Sequence, residues 1–202
     1  MIALSASMKR VSQSPRKQQP KTGQIRVIAG QWRGRKLPVS DVEGLRPTTD
    51  RNKETLFNWM MNDVRDARCL DVFAGSGGLG IEALSRYAKH CVFFEKDKRA
   101  ATLLRKNLQT LEASADVIQG DALSLLNDQR QPFDIVFVDP PFGMNLVNPT
   151  LTSLSQNQLL ASGSLIYIEQ ESQASDIMLP PACRIIKEKR LPQLHYLLVE
   201  MD

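Results

Sequence analysis

The chain has 202 residues, of which 42% are hydrophobic and 24% are charged. These proportions are typical of one globular domain with a sizeable core. No run approaches the ~20 apolar residues of a membrane span, and the opening MIALSASMKR has too short an apolar segment for a secretory signal. Three distant cysteines and two histidines give no disulfide or metal-site spacing. We therefore expect a cytoplasmic protein without a metal, with a monomer as the default state.

Positive charge is concentrated at the start of the chain. The net charge is +4, yet residues 1–40 hold nine Lys or Arg and no acid, while the remainder holds 17 bases and 22 acids. Such an arm attracts a polyanion, usually RNA or DNA. The alternative is a solvated tail. Residues 1–22, rich in Ser, Gln, Pro, Lys and Arg, are expected to be a disordered basic tail.

A small hairpin is predicted over residues 23–45. The segment QIRVIAGQWRGRKLPV alternates apolar and basic residues around two glycines, a pattern typical of two short strands with a basic face. The candidate RNA-contacting residues of this hairpin are Arg26, Arg33, Arg35 and Lys36. After it, Thr49 or Asp50 is suited to cap a helix with Leu56, Trp59 and Met60 on one face.

From residue 69 onward the pattern alternates between strands and helices. Helices are predicted over 78–88 and 98–111, the second with a clear apolar face at Ala101, Leu104, Leu108 and Leu111. Strands are predicted at 69–73, 91–95, 115–121, 133–139 and 163–170, followed by two strands that meet at 191–193. This order predicts an α/β fold: a doubly wound, mainly parallel seven-stranded sheet of Rossmann type, with a C-terminal antiparallel hairpin.

The segment LDVFAGSGGLG contains a formal G-x-G-x-x-G match at Gly75, Gly77 and Gly80. The match alone is weak, because dinucleotide enzymes, adenosylmethionine enzymes and ordinary tight turns share it. Asp71 helps to decide between a dinucleotide and S-adenosylmethionine as the ligand of this loop. A carboxylate in this loop would repel a pyrophosphate, whereas it would attract the ammonium group of S-adenosylmethionine.

Two further acids follow the next predicted strands. Glu95 ends the second strand, where a carboxylate is suited to accept hydrogen bonds from ribose hydroxyls. Asp121 ends the third strand and could accept a bond from an adenine amino group. Each acid alone could be a solvated loop residue. Together with Asp71 they favour a cationic nucleoside that carries no phosphate.

The fourth predicted strand runs into Asp139, Pro140, Pro141 and Phe142. An exocyclic amine on a nucleobase is a poor nucleophile because its lone pair is delocalised into the ring. The carboxylate of Asp139 and the carbonyl of Pro140 would accept its N–H groups, and the two prolines would stiffen the elbow. Phe142 offers a ring for base stacking. The alternative is that the prolines only end the strand.

In this order, LDVFAGSGGLG, FFEKD, QGDA and DPPF resemble the class I adenosylmethionine-dependent methyltransferases of amino groups. With VIAGQWRGRKLPV, LRPTTDRNKETLFNWM and HYLLVE, residues 24–202 are more specifically similar to the bacterial 16S ribosomal RNA guanine-N2 methyltransferases. The DPPF signature is shared with DNA adenine enzymes and does not name the base.

The resemblance implies that residues 46–202 form the methyltransferase domain and that Asp139 to Phe142 bind and activate a guanine amine. It also implies cofactor-binding roles for seven residues besides Asp71, among them two on a loop over the site: Phe73, Gly75, Gly77, Glu95, Asp121, Arg46 and Thr48. The cofactor would be S-adenosylmethionine, with S-adenosylhomocysteine as product. The implied substrate is one guanine of 16S ribosomal RNA, in an assembled or assembling small subunit, which must leave its stack to react.

Three other interpretations remain at this point. A DNA or protein amine methyltransferase would share the motifs, although a sequence-specific DNA enzyme usually needs a larger recognition domain. A nicotinamide-dependent dehydrogenase would share the glycine match, but Asp71 argues against it and no hydride-transfer constellation is apparent. An idle RNA-binding module would need only the basic arm.

Overall fold

A computed structural model of the chain describes residues 23–40 and 50–202. The expected disordered tail (1–22), the last part of the predicted hairpin (41–45) and the predicted site residues Arg46 and Thr48 lie outside the described residues. No helix in those two ranges combines the length and the apolar character needed to cross a membrane.

The described chain folds around a seven-stranded sheet with the order β5-β4-β3-β6-β7-β9-β8. The first five strands in sequence are parallel, while β9 runs antiparallel to both β7 and β8. The predicted mainly parallel sheet with a C-terminal hairpin is therefore confirmed. The strands of this sheet are β3 (Arg68–Asp71), β4 (His90–Glu95), β5 (Ala115–Gln119), β6 (Phe133–Val138), β7 (Leu160–Glu171), β8 (Cys183–Arg190) and β9 (Leu194–Met201).

Helices cover both faces of the sheet, and each face buries its own apolar cluster. The helix α3 carries the predicted apolar face, and its four residues Ala101, Leu104, Leu108 and Leu111 are all buried. Asp97 caps this helix by accepting hydrogen bonds from two backbone N–H groups in its first turn. The helices are α1 (Asp50–Trp59), α2 (Gly78–Ser85), α3 (Lys98–Thr110), α4 (Ala122–Leu126) and α5 (Val147–Gln156).

The strand order reverses between β3 and β6, which are neighbours in the sheet although two strand–helix units separate them in sequence. In doubly wound sheets, ligands bind beyond the carboxyl ends of the strands at such a switch point. Asp71 ends β3, and Asp139 directly follows β6. The topology thus places the first predicted cofactor residue beside the predicted catalytic corner.

The predicted N-terminal hairpin consists of β1 (Gln24–Arg26) and β2 (Lys36–Pro38), paired antiparallel. It lies on the end of α2 and shares one apolar cluster with the main sheet. The buried carboxylate of Glu82 accepts hydrogen bonds from the backbone N–H groups of Ile28 and Ala29, at 2.8 and 3.0 Å. A Cβ at Gly30 would lie 1.8 Å from the carbonyl oxygen of Ser85, so this contact requires glycine.

Several predicted boundaries differ from the structure. The first strand of the alternating pattern ends at Asp71 rather than Phe73, because the chain turns there into the glycine loop. The third ends at Gln119, and Asp121 instead caps α4. Asp50 lies inside α1 as its first residue, and Met60 follows the helix although its side chain is buried.

Candidate active site

A cavity of about 820 Å³ opens at the carboxyl ends of the parallel strands. It is lined by residues that follow or end β3, β4, β5 and β6, and also by residues of β1, β7, the start of β9 and the first turn of α1. This volume lies within the range of sites for small ligands and cofactors. The following predicted residues line it: Asp71, Phe73, Gly75, Glu95, Asp121, Asp139, Pro140, Pro141 and Phe142.

The three glycines of the loop serve different purposes. Gly75 and Gly77 have left-handed backbone angles, with φ of 52° and 77°. A Cβ at Gly77 would approach Leu104 to 2.4 Å, and one at Gly80 would approach the ring of Phe93 to 2.2 Å. Gly77 and Gly80 therefore allow close packing of α2, while Gly75 lines the cavity and is the loop glycine best placed to meet a ligand.

Asp71 is almost completely buried at the inner end of the cavity, with 3% of its surface exposed. Its Oδ2 accepts a hydrogen bond of 3.1 Å from the backbone N–H of Gly80. Burial raises the pKa of this carboxyl to about 7, the Gly80 N–H opposes the rise, and the nearby charge of Glu95 adds to it. A cationic group placed beside Asp71 would favour its ionised form.

The other two predicted cofactor acids lie further out. Glu95 accepts a hydrogen bond of 2.6 Å from the N–H of Asp97 through Oε1, and its partial burial raises its pKa. Asp121 is exposed and accepts a hydrogen bond of 3.2 Å from the N–H of Ser124. The Oδ2 of Asp121 also lies 3.9 Å from the ammonium of Lys96. A carboxylate accepts up to about four hydrogen bonds, so both side chains retain acceptor capacity.

The charges around the cavity fit a cation. Its lining includes five acids and two lysines, Lys53 and Lys96. One of these lysines is committed elsewhere, because the buried ammonium of Lys53 donates a hydrogen bond of 2.6 Å to the carbonyl of Arg26. An acidic cavity of this kind suits a sulfonium and an ammonium group and disfavours a pyrophosphate. The residues present therefore fit S-adenosylmethionine better than a dinucleotide.

The segment Asp139 to Phe142 forms one corner of the cavity. Asp139 is half-buried and Pro140 is buried, whereas Phe142 is 42% exposed. Beyond the corner, the N–H of Gly143 donates a hydrogen bond of 2.8 Å to Oε2 of Glu171, which fixes the loop to β7. The corner thus presents acceptor oxygens and an accessible ring to the same space as the cofactor acids.

Among the lining residues that sequence reasoning missed, three are polar side chains from β7 and α1. Glu169 of β7 is buried, and Asn52 and Lys53 come from the first turn of α1. Glu169 stands in an otherwise apolar strand, LIYIE, and a buried acid in such a run is a signal that could have identified it. The burial of Lys53 lowers its pKa, while the charge of Glu82 acts in the opposite direction.

The predicted basic hairpin reaches the cavity. Arg26 and Lys36 are paired across the two strands, and both are exposed, as are Arg33 and Arg35. Ile25, next to Arg26, belongs to the cavity lining. Through Ile25, the first strand of the hairpin therefore reaches the cavity, whereas the turn that carries Arg33 packs on Ser85, at the end of α2 farthest from the glycine loop.

The strand order, the glycine loop and the acid-lined cavity at the switch point define a class I methyltransferase fold. A family model described as "Conserved hypothetical protein 95" matches residues 25–200. Ribosomal RNA small subunit methyltransferase D of Escherichia coli (strain K12) is 49% identical over 182 residues, which cover 90% of this chain and 92% of that protein. The protein of the same name from Haemophilus influenzae is 50% identical, over 88% of this chain and 94% of its own length.

The solved structure of the Escherichia coli protein yhhF aligns with a TM-score of 0.83 and 49% identity, over 89% of this chain and 99% of that one. These similarities cover the hairpin, the sheet and the cavity together. The chain belongs to the ribosomal RNA small subunit methyltransferase D family.

Proposed function

We propose that this protein transfers a methyl group from S-adenosylmethionine to the exocyclic N2 amine of one guanine in 16S ribosomal RNA. The observation that carries the proposal is the shared cavity, which brings Asp71, Glu95 and Asp121 together with the Asp139 corner. The names of the relatives support small-subunit ribosomal RNA as the substrate. The substrate would be the RNA within an assembled or assembling subunit.

Each cofactor residue has a distinct role in this proposal. Asp71 binds the ammonium group of the methionine end, directly or through water, while Glu95 accepts hydrogen bonds from the ribose and Asp121 from the adenine amine. Phe73 and Gly75 complete the lining near β3. When bound, S-adenosylmethionine supplies an electrophilic methyl group on a positively charged sulfur.

The Asp139 corner acts on the nucleophile. The carboxylate of Asp139 and the carbonyl of Pro140 accept the two N–H bonds of the guanine amine, which favours a pyramidal nitrogen with an available lone pair. Because the acceptors are held by a proline-stiffened elbow, little reorganisation is needed at the moment of reaction. Asp139 is also suited to take up the proton that the amine loses after methylation.

The exposed residues bring the RNA to this corner. Phe142 stacks on the guanine once the base has left its helix. The basic hairpin contacts the phosphate backbone, and a contact of this kind positions the RNA without reading its sequence. The predicted residues Arg46 and Thr48 would cover the cofactor from the segment between the hairpin and α1.

Mass spectrometry of digested ribosomal RNA tests this function. Cells that lack the gene should lose one N2-methylguanine from 16S RNA, and the purified protein with S-adenosylmethionine should restore it on subunits from those cells. An Asp139→Ala protein, added at the same concentration, serves as the inactive control. A methyl group restored at another atom or on another RNA would contradict the proposal.

A further inference from the structure

The proposed function leaves one buried acid of the cavity without a role. Glu169 is only 5% exposed, yet it contributes to the cavity lining. The hydroxyl of Tyr167 donates a hydrogen bond of 2.9 Å to its Oε2. A carboxylate accepts up to about four hydrogen bonds, so this one bond leaves capacity for a ligand. A buried carboxylate is costly unless its partners compensate for the lost hydration.

Glu169 lies beside the catalytic corner. Strands β6 and β7 are parallel neighbours, and their register pairs Val138 with Ile168. The next positions along these strands are Asp139 and Glu169, so their backbones lie side by side at the strand spacing of roughly 4.8 Å. Their side chains therefore leave the sheet on the same face. Burial raises the pKa of Tyr167, and the charges of Glu169 and Asp139 raise it further, so both acids lie near the Tyr167 hydroxyl.

Two neighbouring carboxylates match a particular base edge. Guanine presents the N1–H and the N2 amine as adjacent donors, whereas adenine has an acceptor at N1 beside its N6 amine. With one acid on the amine, a second acid beside it would accept the N1–H of guanine. The same acid would face the N1 lone pair of an adenine and repel it.

We propose that Glu169 accepts a hydrogen bond from N1–H of the target guanine and thereby determines the choice of guanine over adenine-like bases. This inference rests on the proposed function, since it assumes that Asp139 and Pro140 hold the N2 amine. It assigns base specificity to β7, outside the four-residue corner that amine methyltransferases of different bases share.

The test compares two synthetic RNAs that differ at one base. One carries guanine at the position mapped by mass spectrometry, and the other carries 2-aminopurine, which has the same exocyclic amine but an acceptor at N1. Each RNA is ligated into 16S RNA and assembled into subunits. Because a hydrogen-bonding site rejects analogues that lack the bonding group, the wild-type protein should prefer guanine by at least about 100-fold in kcat/KM.

Glu169→Gln should reduce this preference to below about 10-fold, because an amide both accepts and donates and therefore serves either base. Tyr167→Phe is the matched control: it removes the internal hydrogen bond but keeps the carboxylate, so the preference for guanine should persist. An unchanged preference in Glu169→Gln, or an equal loss in Tyr167→Phe, would overturn the role of Glu169. Failure of the wild-type protein to methylate the guanine RNA would instead overturn the proposed function.

Discussion

The backbone N–H of Gly80 donates a hydrogen bond of 3.1 Å to Oδ2 of Asp71, which ties the first turn of α2 to the last residue of β3. This bond stabilises the conformation of the glycine loop, which lies between the two residues in sequence. It also fixes a carboxylate in a position where burial raises its pKa to about 7. Asp71 therefore stabilises the loop through its hydrogen bond to Gly80, but ionisation of its buried carboxyl destabilises the folded protein. The balance between these two effects can be measured.

Replacement of Asp71 by Asn should stabilise the ligand-free protein at neutral pH. The native carboxyl keeps its proton up to a pH of about 7, whereas an unfolded aspartate loses it near pH 4. Between these values the native state binds more protons, so its free energy of unfolding falls as pH rises. The Asn variant does not titrate and so avoids this decrease in the free energy of unfolding, which is on the order of 4 kcal/mol at most.

Urea unfolding of both proteins at pH 5 and pH 8 measures the effect. The Asn side chain still accepts the bond from Gly80, so the stability advantage of Asp71→Asn should be larger at pH 8. In the same variant, calorimetric affinity for S-adenosylhomocysteine should fall at least about 10-fold, because the ammonium group loses its counter-charge. Equal stability differences at the two pH values would show that the carboxyl titrates normally.

Asp139→Ala should abolish methyl transfer while cofactor binding stays within a few-fold of wild type. In the proposed mechanism Asp139 acts on the amine, whereas the acids proposed to bind the cofactor belong to β3, β4 and the loop after β5. Removing one preorganised group at a reacting centre typically costs about 100- to 1,000-fold in rate. Single-turnover transfer and isothermal titration separate the two effects, and a variant that retains most of its turnover would remove Asp139 from the mechanism.

Phe142→Ala should weaken productive placement of the base. Base–aromatic stacking contributes roughly 1–3 kcal/mol, so kcat/KM for the RNA should fall about 5- to 150-fold with little change in cofactor affinity. Met178→Ala is the matched control, since Met178 is also an exposed apolar residue but does not line the cavity. Phe142→Trp should retain most of the activity; turnover of the Ala variant equal to wild type would contradict stacking.

Neutralising Arg33, Arg35 and Lys36 with glutamine should weaken RNA binding and flatten its salt dependence. Each lost phosphate contact lowers the slope of log K against log salt by about 0.7–0.9, so three contacts account for roughly 2–3. Filter binding at several salt concentrations gives the slope. A triple variant at Lys98, Arg99 and Lys106 of α3 makes the same change in net charge at residues outside the hairpin. Identical slopes for both variants would assign the effect to net charge alone.

Sequence periodicity was sufficient to predict the strands of the main sheet and the long helix α3. The apolar face of α3 and the continuous apolar runs of the central strands are direct consequences of burial on one or both sides. The glycine loop and the acids at 71, 95 and 139 follow from strand ends that can be read from the pattern. The switch point that gathers these acids could then be inferred from the fold class alone.

Other elements escaped prediction for physical reasons. Helix α4 has only five residues, and α5 contains Pro149 and several β-branched or short polar residues, which weaken its intrinsic propensity. Packing of buried residues such as Leu151 and Leu154 stabilises it instead. The position of Glu169 beside the catalytic corner depends on the register between β6 and β7, which no local pattern specifies.

Glu82 connects α2 to the N-terminal hairpin. Its carboxylate binds two hairpin N–H groups and also accepts a hydrogen bond of 2.9 Å from Arg86 in its own helix. The helix that starts at the glycine loop is thus rigidly joined to the basic hairpin. Hydrogen bonds of Ser85 with Ala29 and Trp32 add to this link. A displacement of the hairpin would therefore be transmitted through α2 to the glycine loop that precedes it.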